Sequence, residues 1–148
     1  MKAIQKIVVP VDFSENTDKL VAYACYVSQK LGAVMHFVHV VAAYPGDTMI
    51  GAPFAAEYRD KIYLASKERM ASLVQDNQQH CPGCSGQVVP GEPVDKIVEL
   101  AKEADADLII ISTHGAKGLE KILLGSVAER VLKRAHCPVL IMNPFKKQ

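Results

Sequence analysis

An excess of charge of either sign is missing from this sequence: 17 Lys and Arg stand against 16 Asp and Glu in 148 residues, a formal net charge of +1. DNA and RNA binding draws much of its affinity from neutralised phosphates, so the composition gives no general case for a nucleic-acid partner. Long apolar runs are lacking too. The opening stretch MKAIQKIVVPVDF is broken by Pro10 and Asp12, far short of the length that a membrane helix or an export signal requires. The expectation is a cytoplasmic protein that does not enter a membrane. Cysteine is scarce, and Cys25, Cys81, Cys84 and Cys137 are too few to form a disulfide scaffold at this length. In a cytoplasmic setting they are expected to stay reduced. Two common phosphate loops are also absent: no GxxxxGK[ST] occurs, and no GxGxxG follows the first apolar run. That excludes a Walker-type loop and argues against a Rossmann dinucleotide site. No internal repeat, low-complexity tract or linker divides the chain, so residues 1–148 are read as a single domain.

What is present is an alternation of short apolar runs with longer amphipathic ones. At 49% hydrophobic and 22% charged, the composition is that of a globular chain. Ile7-Val8-Val9 reads as a buried strand stopped by Pro10. Leu20, Ala24, Val27 and Leu31 then recur at spacings of 4, 3 and 4, one face of a helix ended by Gly32. Residues 33–41 form a second apolar run, and residues 47–56 read as a loop rich in small residues. A long helix is predicted from about Glu57 to Gln79, broken by HCPGCSG, and Gln87-Val88-Val89 opens a third strand. Pro93 stands at a first helical position ahead of Val94, Ile97, Val98 and Ala101. Residues 107–112 form the clearest strand, residues 126–135 a last helix and residues 138–142 a last strand. Five apolar strands joined by helical crossovers specify a doubly wound α/β domain, a five-stranded parallel sheet with helices on both faces.

In an open parallel sheet, ligands bind beyond the carboxyl ends of the strands, where the strand order reverses. Three segments fall there: Val9-Pro10-Val11-Asp12, His39-Val40, and Ile111-Ser112-Thr113-His114-Gly115. After the third, Gly115 and Gly118 precede Gly125-Ser126, which opens the last helix. Free N–H groups at a helix start, a glycine permitting close approach and a serine hydroxyl make a cradle for phosphate. Asp12 suits hydrogen bonds from an adenine amine or ribose hydroxyls. Each residue has a plainer reading: the glycines as turn residues, Asp12 as a cap of the first helix, His114 as a solvated loop side chain. Cys81-Pro82-Gly83-Cys84 beside His80 reads as inert loop thiols, a redox pair or half a zinc site.

These residues resemble a known family, the universal stress proteins, in their UspA-like, ATP-binding type. The likeness runs from IVVPVDFSENT through HFVHVV to SVAERVLKRAHCPVLIM. The family's ATP-binding members carry a glycine, two residues, a glycine, nine residues, then a glycine followed by Ser or Thr. Gly115, nine residues and Gly125-Ser126 match, with Ser112 in place of the first glycine. The resemblance implies a sheet ordered 3-2-1-4-5, adenine nucleotide alpha hydrolase-like, with ATP (and Mg2+ where present) between the first and fourth strands. Val11 and Asp12, with Pro10 beside them, would meet base and ribose, and Val40 would touch the adenine. Ser112, His114, Gly115, Gly125, Ser126 and Val127, with Ile111 behind them, would line ribose and phosphates. No carboxylate cluster or evident base accompanies the glycine segment, so the expectation is a stress-response or signalling module and not an enzyme. The alternatives are a slow ATPase or kinase-like enzyme, or a dimeric interaction protein without nucleotide. The apolar last strand is expected to pair with a second copy as a homodimer.

Overall fold

The computed structural model describes residues 1–42, 52–114 and 124–146, apart from the side chains of residues 52 and 53. Strand β1 (Lys6–Pro10) leads into helix α1 (Thr17–Leu31), then β2 (Val34–Val41) and α2 (Ala52–Asn77). The chain continues as β3 (Ser85–Pro90), α3 (Pro93–Glu103), β4 (Leu108–Ser112), α4 (Ser126–Arg134) and β5 (Val139–Met142). All pairings are parallel and the order is β3-β2-β1-β4-β5, the doubly wound arrangement expected.

Both faces of the sheet are covered, which is why its strands are apolar at consecutive positions and do not alternate with polar residues. Ile7, Val9, Met35, Phe37, Leu108 and Ile110 pack with Leu20 and Ala24 of α1 and Met70 of α2. Val8, Val38, Ile109 and Ile111 face the other way, against Val94 and Ile97 of α3 and Ala128 and Val131 of α4. Helix α1 ends where Gly32 takes a left-handed φ of 65° and its N–H bonds the Ser28 carbonyl. Helix α3 begins with the Glu92 carboxylate accepting from the Asp95 N–H (2.8 Å) ahead of Pro93. Among the described residues no helix is long and apolar enough to cross a membrane.

Several boundaries differ from the sequence reading; β3 opens at Ser85, two residues ahead of Gln87 and inside the HCPGCSG break. Helix α2 starts at Ala52, inside the stretch read as loop. Small residues and Pro53 suggest a loop, but proline is at home in a first helical turn, where its missing N–H has no intrahelical partner to lose. Residues 47–51 of that predicted loop lie outside the described residues. Pro10 is itself the last residue of β1, one position beyond the apolar triplet Ile7-Val8-Val9. The Val11 N–H donates to the Val38 carbonyl (2.8 Å), so odd-numbered residues of β1 point their backbone groups at β2 and Pro10 points toward β4. The β1–β4 register covers only Ile7↔Leu108 and Val8↔Ile109. Proline therefore stands where the two strands have already parted and no donor is required.

Candidate functional site at the parting of β1 and β4

That parting is the topological switch point of the sheet: β1 turns to β2 on one side, while β4 leads to β5 on the other. Pro10 ends β1 buried, Val11 just beyond it is buried too, and Asp12 follows in the open. The Asp12 Oδ1 accepts from the Ser14 N–H (2.9 Å) and from the Thr17 hydroxyl (3.5 Å), an Asx-type turn that fixes the carboxylate. Asp12 thus braces the turn into α1; the residue preceding the helix is Asn16. Ile111 is buried at the end of β4 and Ser112 is half-buried beside it. The Ser112 hydroxyl donates to the His114 carbonyl (3.0 Å) and accepts from the His114 N–H (3.3 Å), closing a small loop on itself.

The solvated reading of His114 is corrected. Only 8% of it is exposed; its Nδ1 lies 2.6 Å from the Thr113 hydroxyl, and its ring meets Phe145 edge-on at 5.0 Å. Gly115 lies outside the described residues, as does Gly118. Gly125 and Ser126 open α4 as expected, and the Gly125 N–H donates to the Thr113 carbonyl (2.8 Å), drawing the start of α4 against the end of β4. A Cβ at position 125 would stand 2.5 Å from that carbonyl oxygen, so only glycine permits the approach. Val127 is exposed in the first turn of α4, and Val40 packs against the cluster that α3 and α4 cover.

Three further side chains bear on the site. Phe13 holds a φ of 56°, unusual for a bulky residue. The Arg69 guanidinium lies 4.8 Å from its ring centre and donates to its carbonyl (3.0 Å), and the His39 ring packs against it tilted by 48°, with 4.6 Å between ring centres. His39 Nδ1–H donates to the Val11 carbonyl (2.7 Å), so the backbone leading to Asp12 is held from β2 and from α2. His39 stood among the strand-end candidates; Arg69 carried no sequence signal. Burial holds the imidazoles of His39 and His36 below the usual histidine range, although the bond to Val11 works against this in His39. Both therefore favour the neutral form when folded, and the unfolded chain takes up protons first as the pH falls through about 6.5. Their stabilisation is full above that value and is lost below it. The unfolding midpoint should drop between pH 7 and 5, and His39→Gln should flatten that slope in differential scanning calorimetry. An unchanged slope would mean that the ring is not buried. Asp107 acts only lower: its carboxylate, bonded by the Gln5 N–H and then by Lys2, is held below its ordinary 3.8, so its contribution fades only beneath that pH.

A groove of about 590 Å³ between α1 and α2 does not suit a phosphate. Asp18, Glu68 and Asp76 line it against a single Arg69, so an anion would meet repulsion there. The CxxC reading is corrected as well. Cys81 is paired with Cys25 of α1 and not with Cys84, which departs from the expectation that all the cysteines are reduced. Among the described residues no three His, Cys, Asp or Glu side chains gather to hold a metal, and Cys81, one of the three residues of the zinc reading (His80, Cys81 and Cys84), is taken up in the bridge to Cys25.

Residues 3–143 match the Universal stress protein family. The chain belongs to that family. Universal stress protein MJ0531 of Methanocaldococcus jannaschii is 33% identical over 147 residues, covering 97% of this chain and 85% of the relative. Among solved structures, that of the hypothetical protein MJ0577 superposes with a TM-score of 0.85 at 26% identity, covering 99% of both chains. A universal stress protein in complex with cAMP gives 0.63 at 28% identity, covering 97% of this chain and 99% of the other. The Archaeoglobus fulgidus universal stress protein in complex with dAMP gives 0.60 at 26%, covering 95% and 98%. The fold is thus the adenine nucleotide alpha hydrolase-like fold of the universal stress proteins.

Proposed function

We propose that this universal stress protein binds an adenine nucleotide, ATP in particular, where β1 and β4 part, and works in the cytoplasm as a stress-response or signalling module. The observation that carries this reading is the close seating of the α4 start on Thr113 beside the parted strands, which brings a helix N-terminus to the carboxyl end of β4. Helix N-termini offer free N–H groups and a partial positive charge to phosphate. In this reading Asp12 and the Val11 backbone take the ribose and base, Val40 contacts the adenine, and Ser112, His114, Gly125, Ser126 and Val127 surround ribose and phosphates. The two family members in complex with cAMP and dAMP support the class of ligand, because both compounds are adenine nucleotides with a single phosphate. The triphosphate assignment rests on the match of Gly115 and Gly125-Ser126 to the ATP-binding pattern.

The output is a change of conformation or of partner, with any hydrolysis slow, because phosphoryl transfer needs a placed metal set and a residue that orients the attacking water. The sequence supplies neither beside the glycine segment. Titration calorimetry with ATP and AMP, together with mass spectrometry of the supernatant of the denatured protein, tests the proposal. Binding should be measurable, and Asp12→Ala should weaken it at least tenfold, about 1.4 kcal/mol. An unchanged affinity in Asp12→Ala would remove the carboxylate from the site.

A further inference from the structure

Independently of nucleotide binding, we propose that Cys25 and Cys81 form a reversible dithiol–disulfide site that exchanges with small disulfides of the glutathione type. Cys25 sits mid-way along α1 and Cys81 in the turn between α2 and β3, 56 positions apart in sequence yet with Cα atoms 5.8 Å apart. That separation lies inside the range a disulfide spans without backbone movement.

The dithiol form is equally well housed. Asn77 Nδ2 donates to the Leu73 carbonyl (2.8 Å), which turns the amide so that its Oδ1 faces the Cys25 sulfur at 3.8 Å. An acceptor thus stands ready for the Cys25 S–H once the bridge is open. The neighbouring thiol is committed elsewhere. In the tight turn Cys81-Pro82-Gly83-Cys84 the Cys84 N–H returns to the Cys81 carbonyl (3.1 Å), with Gly83 at a φ of 80°. The Cys84 sulfur turns to the Val74 carbonyl (3.7 Å), and burial pushes its thiol up, away from the reactive thiolate. The turn divides its two cysteines: Cys81 toward α1, Cys84 toward α2. His80, Pro82 and Gly83 are exposed, so a reagent reaches Cys81 by movement of a surface turn and not of the core.

The exchange balances as follows. The Cys81 thiol gives up its proton, and the thiolate attacks one sulfur of glutathione disulfide, forming a protein–glutathione bond and releasing one glutathione thiolate, which takes up a proton. The Cys25 thiol then loses its proton and displaces the second glutathione from Cys81. Two protein thiols are oxidised to one disulfide, and one glutathione disulfide is reduced to two glutathiones. The closed bridge ties α1 to the α2–β3 turn across a long loop. Oxidation should therefore raise the thermal midpoint, by roughly 5–15 °C for a loop and chain of this size.

The test incubates the whole protein with glutathione disulfide or with reduced glutathione, quenches in acid, alkylates under denaturant and counts labels by mass spectrometry. Expected are two labels after oxidation, on Cys84 and Cys137, and four after reduction, with a Cys25–Cys81 cross-linked peptide and the higher midpoint in the oxidised sample only. Cys25→Ser and Cys81→Ser should each abolish the cross-link, and Cys84→Ser should retain it. Four labels after oxidation, a cross-link through Cys84, or a bridge that reduced glutathione fails to open in the native protein would each overturn the proposal.

Discussion

Gly125→Val should lower the affinity for ATP at least 100-fold, about 2.7 kcal/mol, and Gly125→Ala should do most of the same damage. The φ at position 125 is −59°, which any residue adopts, so the requirement for glycine is one of space and not of backbone conformation. A Cβ there lies 2.5 Å from the Thr113 carbonyl oxygen and 3.5 Å from its carbon. Both are backbone atoms at the end of β4 and cannot swing aside as the tip of a side chain would. The added carbon must push the two segments apart, break the 2.8 Å bond between the Gly125 N–H and Thr113, and carry Ser126 and Val127 with it. The lost bond and the strain together cost about 2–4 kcal/mol, or roughly 4–12 °C in the thermal midpoint of a chain this long. Alanine separates two explanations. If bulk beside the phosphates were the cause, alanine would bind nearly normally and only valine would fail. If the backbone junction is the cause, alanine fails too, and Ser126→Ala, which leaves the junction intact, retains most of the affinity. An alanine variant with both normal affinity and normal midpoint would show that the junction does not require glycine.

The sheet was legible because its signal is local: β-branched runs such as Ile7-Val8-Val9 and Ile109-Ile110-Ile111 suit strands buried on both faces, and helical spacing separates them. The start of α4 at Gly125-Ser126 was equally legible, though the reason for the glycine, the carbonyl of Thr113 twelve positions earlier in sequence, required the fold. What escaped depends on contacts between distant segments. Arg69 lies in a polar stretch of α2 with nothing to mark it, yet it reaches across 56 positions to the Phe13 backbone. Cys25 likewise has its partner 56 positions away, while the eye is drawn to the adjacent pair Cys81 and Cys84. The onset of α2 was hidden for a different reason, since small residues and a proline serve a first helical turn as readily as a loop.

Ile141→Pro should convert a dimer into a monomer, whereas Leu140→Pro should damage the fold itself. Strand β5 is the last of the sheet, and its Val139, Leu140 and Ile141 are only half-buried in the single chain. An apolar edge of this kind invites a second strand, and two-fold pairing with its own copy is self-complementary. The ladder fixes which residues face outward. The Pro138 carbonyl accepts from the Ile109 N–H (3.0 Å) and the Met142 carbonyl from the Thr113 N–H (2.9 Å), so even-numbered residues of β5 turn their backbone toward β4. In a parallel strand the N–H and C=O of one residue point to the same side and those of the next residue to the other. Val139 and Ile141 therefore present their backbone groups to the open edge, while Leu140 is bonded within the chain. Four residues cannot bury the 1,200–2,000 Å² or so of a stable interface. Exposed Leu132 on α4 and Phe145 just beyond β5 supply further apolar surface on the same C-terminal part of the fold. Light scattering at micromolar concentration should give twice the 16.1 kDa of one chain for the unaltered protein and a single chain for Ile141→Pro, with the helical circular dichroism of the variant retained. Leu140→Pro should lose midpoint instead, because it removes a donor to β4. A mass near one chain for the unaltered protein, or a dimer that survives Ile141→Pro, would exclude the edge of β5 as the interface.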